Sequence, residues 1–160
     1  DCLAQHAPSV VIGASGIGKT VLARALANYK STKNSRTLLI CRNRLLSGEN
    51  KLLFKENPLV ECFSYFELMF DVIEDSSLED LEGNEVLLKF KEAINKRVDL
   101  HLSLEDSDYR YLEENSETLL KHYFGTFDSI VVDEGQQFTL EQLNALRKLL
   151  TEENNHSFNI

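Results

Sequence analysis

The chain has 160 residues, of which 42% are hydrophobic and 27% charged, enough hydrocarbon for one closed core and too much for a disordered chain. No apolar run reaches the roughly 20 residues that a membrane-spanning helix needs, and the opening DCLAQHAP lacks the basic and apolar regions of a signal peptide. The formal net charge of −9 argues against a uniformly basic, nucleic-acid-coating surface.

Taken in chain order, Ser9–Ile12 is a short β-rich run that stops at Gly13, which predicts a buried strand. From Gly18 to about Tyr29 a helix is expected, with Val21, Leu22, Ala25, Leu26 and Tyr29 on one face. Thr37–Cys41 (TLLIC) is a continuous apolar run, the pattern of a parallel strand covered on both sides. A short helix over Leu45–Phe54 and a strand over Pro58–Phe63 should follow. Ser64 and Glu67 have capping-box spacing for a helix carrying Phe66, Met69, Phe70 and Ile73.

Two further helices are expected, one with Leu87, Phe90, Ile94 and Val98 in register, the other with Tyr109, Leu112, Leu119 and Tyr123. Ser129–Val132 reads as another buried strand, ending at Asp133. Thr139 and Gln142 cap a last helix with Leu143, Leu146 and Leu150, and Ser157–Ile160 begins one more strand. Strands alternating with helices imply a parallel sheet with right-handed crossovers, and ligands of such sheets bind beyond the carboxyl ends of the strands. Gly13 and Asp133 both lie at such ends.

The charge is not evenly spread. Segment 71–117 holds 15 Asp/Glu and 5 Lys/Arg, a net of −10, whereas the remainder has a net of +1. A solvated helical insertion over about 75–124 accounts for this; an acidic partner surface is the competing reading. Cys2, Cys41 and Cys62 form an odd set without paired spacing, as for reduced thiols in a cytoplasmic protein. His6, His101, His122 and His156 are too scattered for a metal site.

Gly13–Thr20 reads GASGIGKT, a full match to the phosphate-loop pattern, placed between a predicted strand and a predicted helix. A triphosphate needs several converging N–H donors, and the residues Gly13, Ala14, Ser15, Gly16, Ile17 and Gly18 would supply them with little side-chain bulk. Lys19 would place a positive charge on the β- and γ-phosphates, and the Thr20 hydroxyl would ligate Mg²⁺. A glycine-rich turn with a chance lysine is the plain alternative.

The second motif is Ile130–Phe138, IVVDEGQQF. Two carboxylates at the end of a buried strand are costly unless a cation uses them. With ATP bound, Asp133 would hold Mg²⁺ through water, Glu134 would orient and deprotonate the attacking water, and Gln136 would sense the γ-phosphate.

Together these motifs resemble the superfamily 1 helicases of the UvrD/Rep-like group, whose second motif is usually D-E-x-Q-D-F. Here it is Asp133-Glu134-Gly135-Gln136-Gln137-Phe138, with Gln137 in place of the usual aspartate. Leu38–Leu46 is similar to the group's segment that touches single-stranded nucleic acid, and puts Asn43 and Arg44 at the contacting positions. Glu61–Leu68 resembles a Thr-Phe-His segment, with Ser64 for the threonine and Phe66 for the histidine.

The resemblance implies a three-layer, RecA-like α/β domain of the P-loop NTPase class, with a parallel central sheet and a helical acidic insertion. It implies ATP and Mg²⁺ as cofactors, single-stranded nucleic acid as partner (DNA ahead of RNA), and a second RecA-like domain that supplies arginine fingers. On that reading residues 1–160 are one domain of a larger helicase, nearly inactive alone. An AAA-type or signalling ATPase, acting as a nucleotide-dependent interaction switch, would also suit GASGIGKTVLARALA.

Overall fold

The computed structural model describes residues 10–14, 16–75, 83–96, 105–115, 120, 126–151 and 157–160. Four strands, β1 (Thr37–Cys41), β2 (Val60–Ser64), β3 (Ser129–Val132) and β4 (Phe158–Asn159), form one sheet in the order β2-β1-β3-β4. Every pairing is parallel; Thr37 stands beside both Val60 and Ser129, and Ile130 beside Phe158. The expected α/β fold with a parallel central sheet is what the chain adopts.

Among the described residues the helices are α1 (Lys19–Ser31), α2 (Arg44–Leu53), α3 (Tyr65–Asp75), α4 (Glu85–Asn95), α5 (Asp106–Glu114) and α6 (Leu140–Arg147). They cover both faces of the sheet. Leu38, Ile40, Ile130 and Val132 point to one side and pack with Leu68, Met69, Val72, Phe90, Leu112 and Leu146 from α3 to α6. Leu39 and Val131, one residue out of phase, point to the other side and pack with Ala27, Phe54 and Val60. Strands sandwiched this way have no polar face, which is why β1 and β3 are unbroken apolar runs. Each fully buried Leu or Ile contributes roughly 1.5–3 kcal/mol relative to exposure.

Local signals hold the element ends. Glu67 accepts a hydrogen bond from the Ser64 backbone N–H at 2.8 Å, and Ser64 Oγ accepts the Glu67 N–H at 3.4 Å. Thr139 and Gln142 make the same reciprocal pair at the start of α6. Cys41 and Cys62 are free and buried. Burial pushes their thiols up to about 11 and about 12, so both stay protonated and unreactive at neutral pH. Among the described residues no helix is long and apolar enough to cross a membrane, and no group of three His, Cys, Asp or Glu is placed to hold a metal.

Two expectations need correction. Val10–Ile12 is not a strand: the Val11 N–H donates to Ile160 O at 2.8 Å, but no ladder extends from it. The described part of β4 is two residues long and offers too short an edge for a ladder. Ser9 lies outside the described residues.

In α1, Leu26 packs against the core as expected, but Val21 is 67% exposed and Leu22, Ala25 and Tyr29 are also exposed, while Ala27 is buried with Ala23 beside it. The helix lies close to the sheet, and close approach selects the small alanine face over the bulky one.

The helix α2 is reversed relative to a simple amphipathic pattern. Its buried residues are Ser47 and Asn50, and its leucines 45, 52 and 53 face outward. Ser47 Oγ donates to Glu67 at 2.6 Å and Arg24 Nε donates to Asn50 Oδ1 at 2.7 Å, so hydrogen bonds seat this helix. Of the expected acidic-segment residues, Leu87, Phe90 and Leu112 are buried in α4 and α5; Val98, Leu119 and Tyr123 lie outside the described residues.

Candidate nucleotide site

The loop preceding α1 owes its path to glycine. Gly16 has φ +81° and Gly18, the residue capping α1, has φ +91°, both in the left-handed region that side chains disfavour. No side chain caps α1, and its first turn has no acidic residue. The initial N–H groups and the positive end of the helix dipole are therefore left for an outside anion. Lys19 Nζ donates to the carbonyls of Gly13 and Ala14, each at 3.0 Å, which folds the amine back over the loop. Ile17 is exposed and Thr20 half-buried. Ser15 lies outside the described residues.

The acidic strand end has its own constraints. Asp133 is only 3% exposed. Its backbone N–H donates to Ile40 O at 2.8 Å, and its Oδ1 accepts the Glu134 N–H at 3.0 Å. Its Oδ2 is buried with no hydrogen-bond partner among the described residues. A buried carboxylate oxygen left in that state costs on the order of 1–3 kcal/mol, and more when ionised, unless a cation or donor meets it.

Glu134 has φ +57°, a left-handed backbone at a residue with a full side chain. This turn swings the carboxylate out of the strand, where the Gln136 amide donates to it. A short 3₁₀ turn, Gly135–Gln137, follows.

Residues from both motifs face a single cavity of about 610 Å³. Gly13 and Lys19 line it from the phosphate loop, and Asp133, Glu134 and Gln136 from the acidic strand end. Leu22, Leu26, Val131 and Ile160 supply an apolar wall that the sequence did not signal. An anion-ready helix start and a lysine share one cavity with Asp133, whose Oδ2 is a buried orphan, a set that fits a phosphate chain with a divalent cation.

A protein-family model described as an AAA domain matches residues 4–160. The chain belongs to the AAA domain family. No curated protein and no solved structure matches it. As an AAA domain it is a P-loop nucleotide-binding domain of the ATPase class, and Gly13–Thr20 matches the phosphate-loop pattern.

The residues expected to meet nucleic acid lie apart from this cavity. Asn43 is exposed, but its Oδ1 accepts the N–H groups of Leu45 and Leu46 and caps α2. Arg44 is exposed in the first turn of α2. Ser64 is fully buried and its hydroxyl caps α3. The expectation that Ser64 touches a polymer is corrected on that ground: it has no surface to offer. Phe66 is partly buried, set edge-on to Tyr109 at 5.9 Å and stacked with Phe70 at 6.4 Å, so its ring is engaged in an aromatic cluster of this chain.

Proposed function

We propose that this AAA domain binds ATP with Mg²⁺ in the 610 Å³ cavity, hydrolyses it there, and serves as the first motor domain of a superfamily 1-type helicase. The observation that carries the chemistry is that Asp133, whose Oδ2 is buried and unpartnered among the described residues, lines the same cavity as Lys19.

In this reading the phosphate-loop N–H groups and Lys19 bind the β- and γ-phosphates, Lys19 leaving its two carbonyls to do so. The Thr20 hydroxyl and Asp133 would hold the cation, which would offset the negative charge of the phosphates. Glu134 orients and deprotonates the attacking water, its carboxylate steadied by Gln136. Gln136, on the cavity wall, would then report whether the γ-phosphate is present.

The helicase assignment rests on the order Asp133-Glu134-Gly135-Gln136 with Gln136 at the cavity, and on the helices α4 and α5 inserted before β3. Arg44, with Asn43, is the proposed contact with single-stranded nucleic acid, DNA ahead of RNA. Closure of a second RecA-like domain over the exposed Ile12 and Ile17 would complete the cleft. The family match equally favours an AAA-type interaction switch, in which nucleotide sets partner binding and no polymer is moved.

Calorimetry and steady-state ATPase assays test both levels. ATP·Mg²⁺ should bind, and Lys19→Ala should weaken binding at least about tenfold, as loss of a charge-assisted contact does. Unchanged affinity removes the site. Stimulation of the ATPase by single-stranded DNA upholds the motor; a rate indifferent to both DNA and RNA favours the switch.

A further inference from the structure

Arg42, one residue past the end of β1, joins three separate parts of the chain through one guanidinium. Its Nη2 donates to Glu113 Oε1 of α5 at 2.6 Å, and its Nη1 donates to Gln142 Oε1 of α6 at 3.0 Å. The same group lies over the Phe66 ring of α3, 5.0 Å from the centroid.

Gln142 is fully buried, and its Oε1 also accepts the Thr139 backbone N–H at 3.1 Å. Thr139 ends the loop that begins at Asp133. Within that loop Gln137 N–H donates to Glu134 O at 2.9 Å and Phe138 N–H to Gly135 O at 3.1 Å. A second contact chain runs alongside: Phe138 is edge-on to Tyr65 at 5.8 Å, and Tyr65 edge-on to Phe66 at 6.1 Å.

We propose that Arg42 is a positioning residue for the cavity chemistry: its grip on Gln142 fixes the far end of the loop that carries Glu134, and its grip on Glu113 ties that loop to the acidic helical segment. This rests on the reading of Glu134 as the group that orients water. A left-handed backbone at Glu134 persists only where the surroundings over-determine it. One side is held by the sheet, through Asp133 N–H to Ile40 O. Arg42 holds the other.

The ion pair is unlike an exposed surface pair, whose strength is commonly negligible. Both side chains are 28% exposed, and the guanidinium shares a fully buried acceptor with the loop backbone. A planar fork meets a carboxylate, an amide oxygen and a ring face together in one fixed geometry, which the single point charge of an ammonium on a flexible stem does not reproduce.

The test uses Arg42→Ala, Arg42→Lys and Glu113→Gln in two measurements. Without nucleotide, amide hydrogen exchange at Gln137 and Phe138 should rise about tenfold in Arg42→Ala while exchange in β1 stays unchanged. With ATP, kcat should fall about tenfold and KM stay within about twofold, because the loop bearing Glu134 shifts while the phosphate loop does not. Arg42→Lys should restore neither.

Loop exchange equal to that of the unaltered protein, or recovery in Arg42→Lys, overturns the proposal. So does a loss of kcat and affinity by the same factor. If Arg42→Ala does not fold, Arg42→Lys and Glu113→Gln carry the same comparison. Hydrolysis by Glu134→Gln as fast as by the unaltered protein overturns the parent reading of Glu134 alone, and the exchange result still decides the grip of Arg42 on the loop.

Discussion

Gly135 lies against Ile160 so closely that a Cβ at position 135 would sit 2.1 Å from Ile160 Cγ2. The contact brings the end of β4 onto the turn that presents Glu134, and it leaves no room for any side chain at Gly135. Gly135→Ala should therefore cost roughly 1–3 kcal/mol, the usual penalty of overpacking. For a chain of this size that lowers Tm by about 2–4 °C per kcal/mol, measurable by calorimetry. An unchanged Tm would mean that Ile160 yields freely.

Asp133→Asn separates metal binding from folding. The substitution removes a buried charge whose Oδ2 has no partner among the described residues. The metal-free protein should be at least as stable as before, by urea unfolding in the presence of a chelator. The enhancement of nucleotide affinity by Mg²⁺ should disappear. Retained enhancement would assign the cation to other ligands.

Glu134 sets stability against activity. Its φ of +57° is comfortable for glycine and strained for glutamate. Glu134→Gly should stabilise the fold by about 1 kcal/mol while abolishing hydrolysis. Glu134→Gln keeps the backbone strain, and should retain ATP binding with hydrolysis slowed at least about 100-fold. Rapid turnover by Glu134→Gln would exclude the side chain as base.

Acid should unlock α2 from α3. Burial alone would raise the Glu67 carboxyl, but hydrogen bonds from the Ser47 hydroxyl, the Ser64 backbone and the Ser64 hydroxyl outweigh it, aided by Lys51 at 3.5 Å. The net result is a folded-state value below the ordinary carboxylate range. A depressed value stabilises the fold above the ordinary glutamate pKa of about 4.3, and that contribution is lost as the pH falls through the folded value. Glu67→Ala should cost about 1–2 kcal/mol at pH 7. The gap between the two proteins should close below about pH 4; a gap independent of pH would contradict this account.

Much of this was legible in the residues themselves. TLLIC announces a strand buried on both faces because no polar side chain interrupts it. Ser64 with Glu67, and Thr139 with Gln142, announce helix starts because the capping bonds are local. GASGIGKT specifies its own turn through Gly16 and Gly18. What stayed hidden depends on partners distant in sequence. The periodicity of α1 counts large side chains and misses that the sheet accepts Ala23 and Ala27. The orientation of α2 follows from Arg24 and Glu67, which no pattern within the helix contains. Ser64 looked like a contact residue by position and is a cap by burial. Arg42 gave no signal beyond standing at a strand end.

The polar seating of α2 has a mechanical consequence. Apolar contacts tolerate a small slide or roll of one element over another, because any nearby hydrocarbon serves as a replacement. The bonds from Ser47 to Glu67 and from Arg24 to Asn50 have no such substitutes. The helix is keyed like a toothed wheel, its rotation and pitch set by two donors, so the backbone of its first turn, from which Arg44 departs, holds one orientation against the sheet.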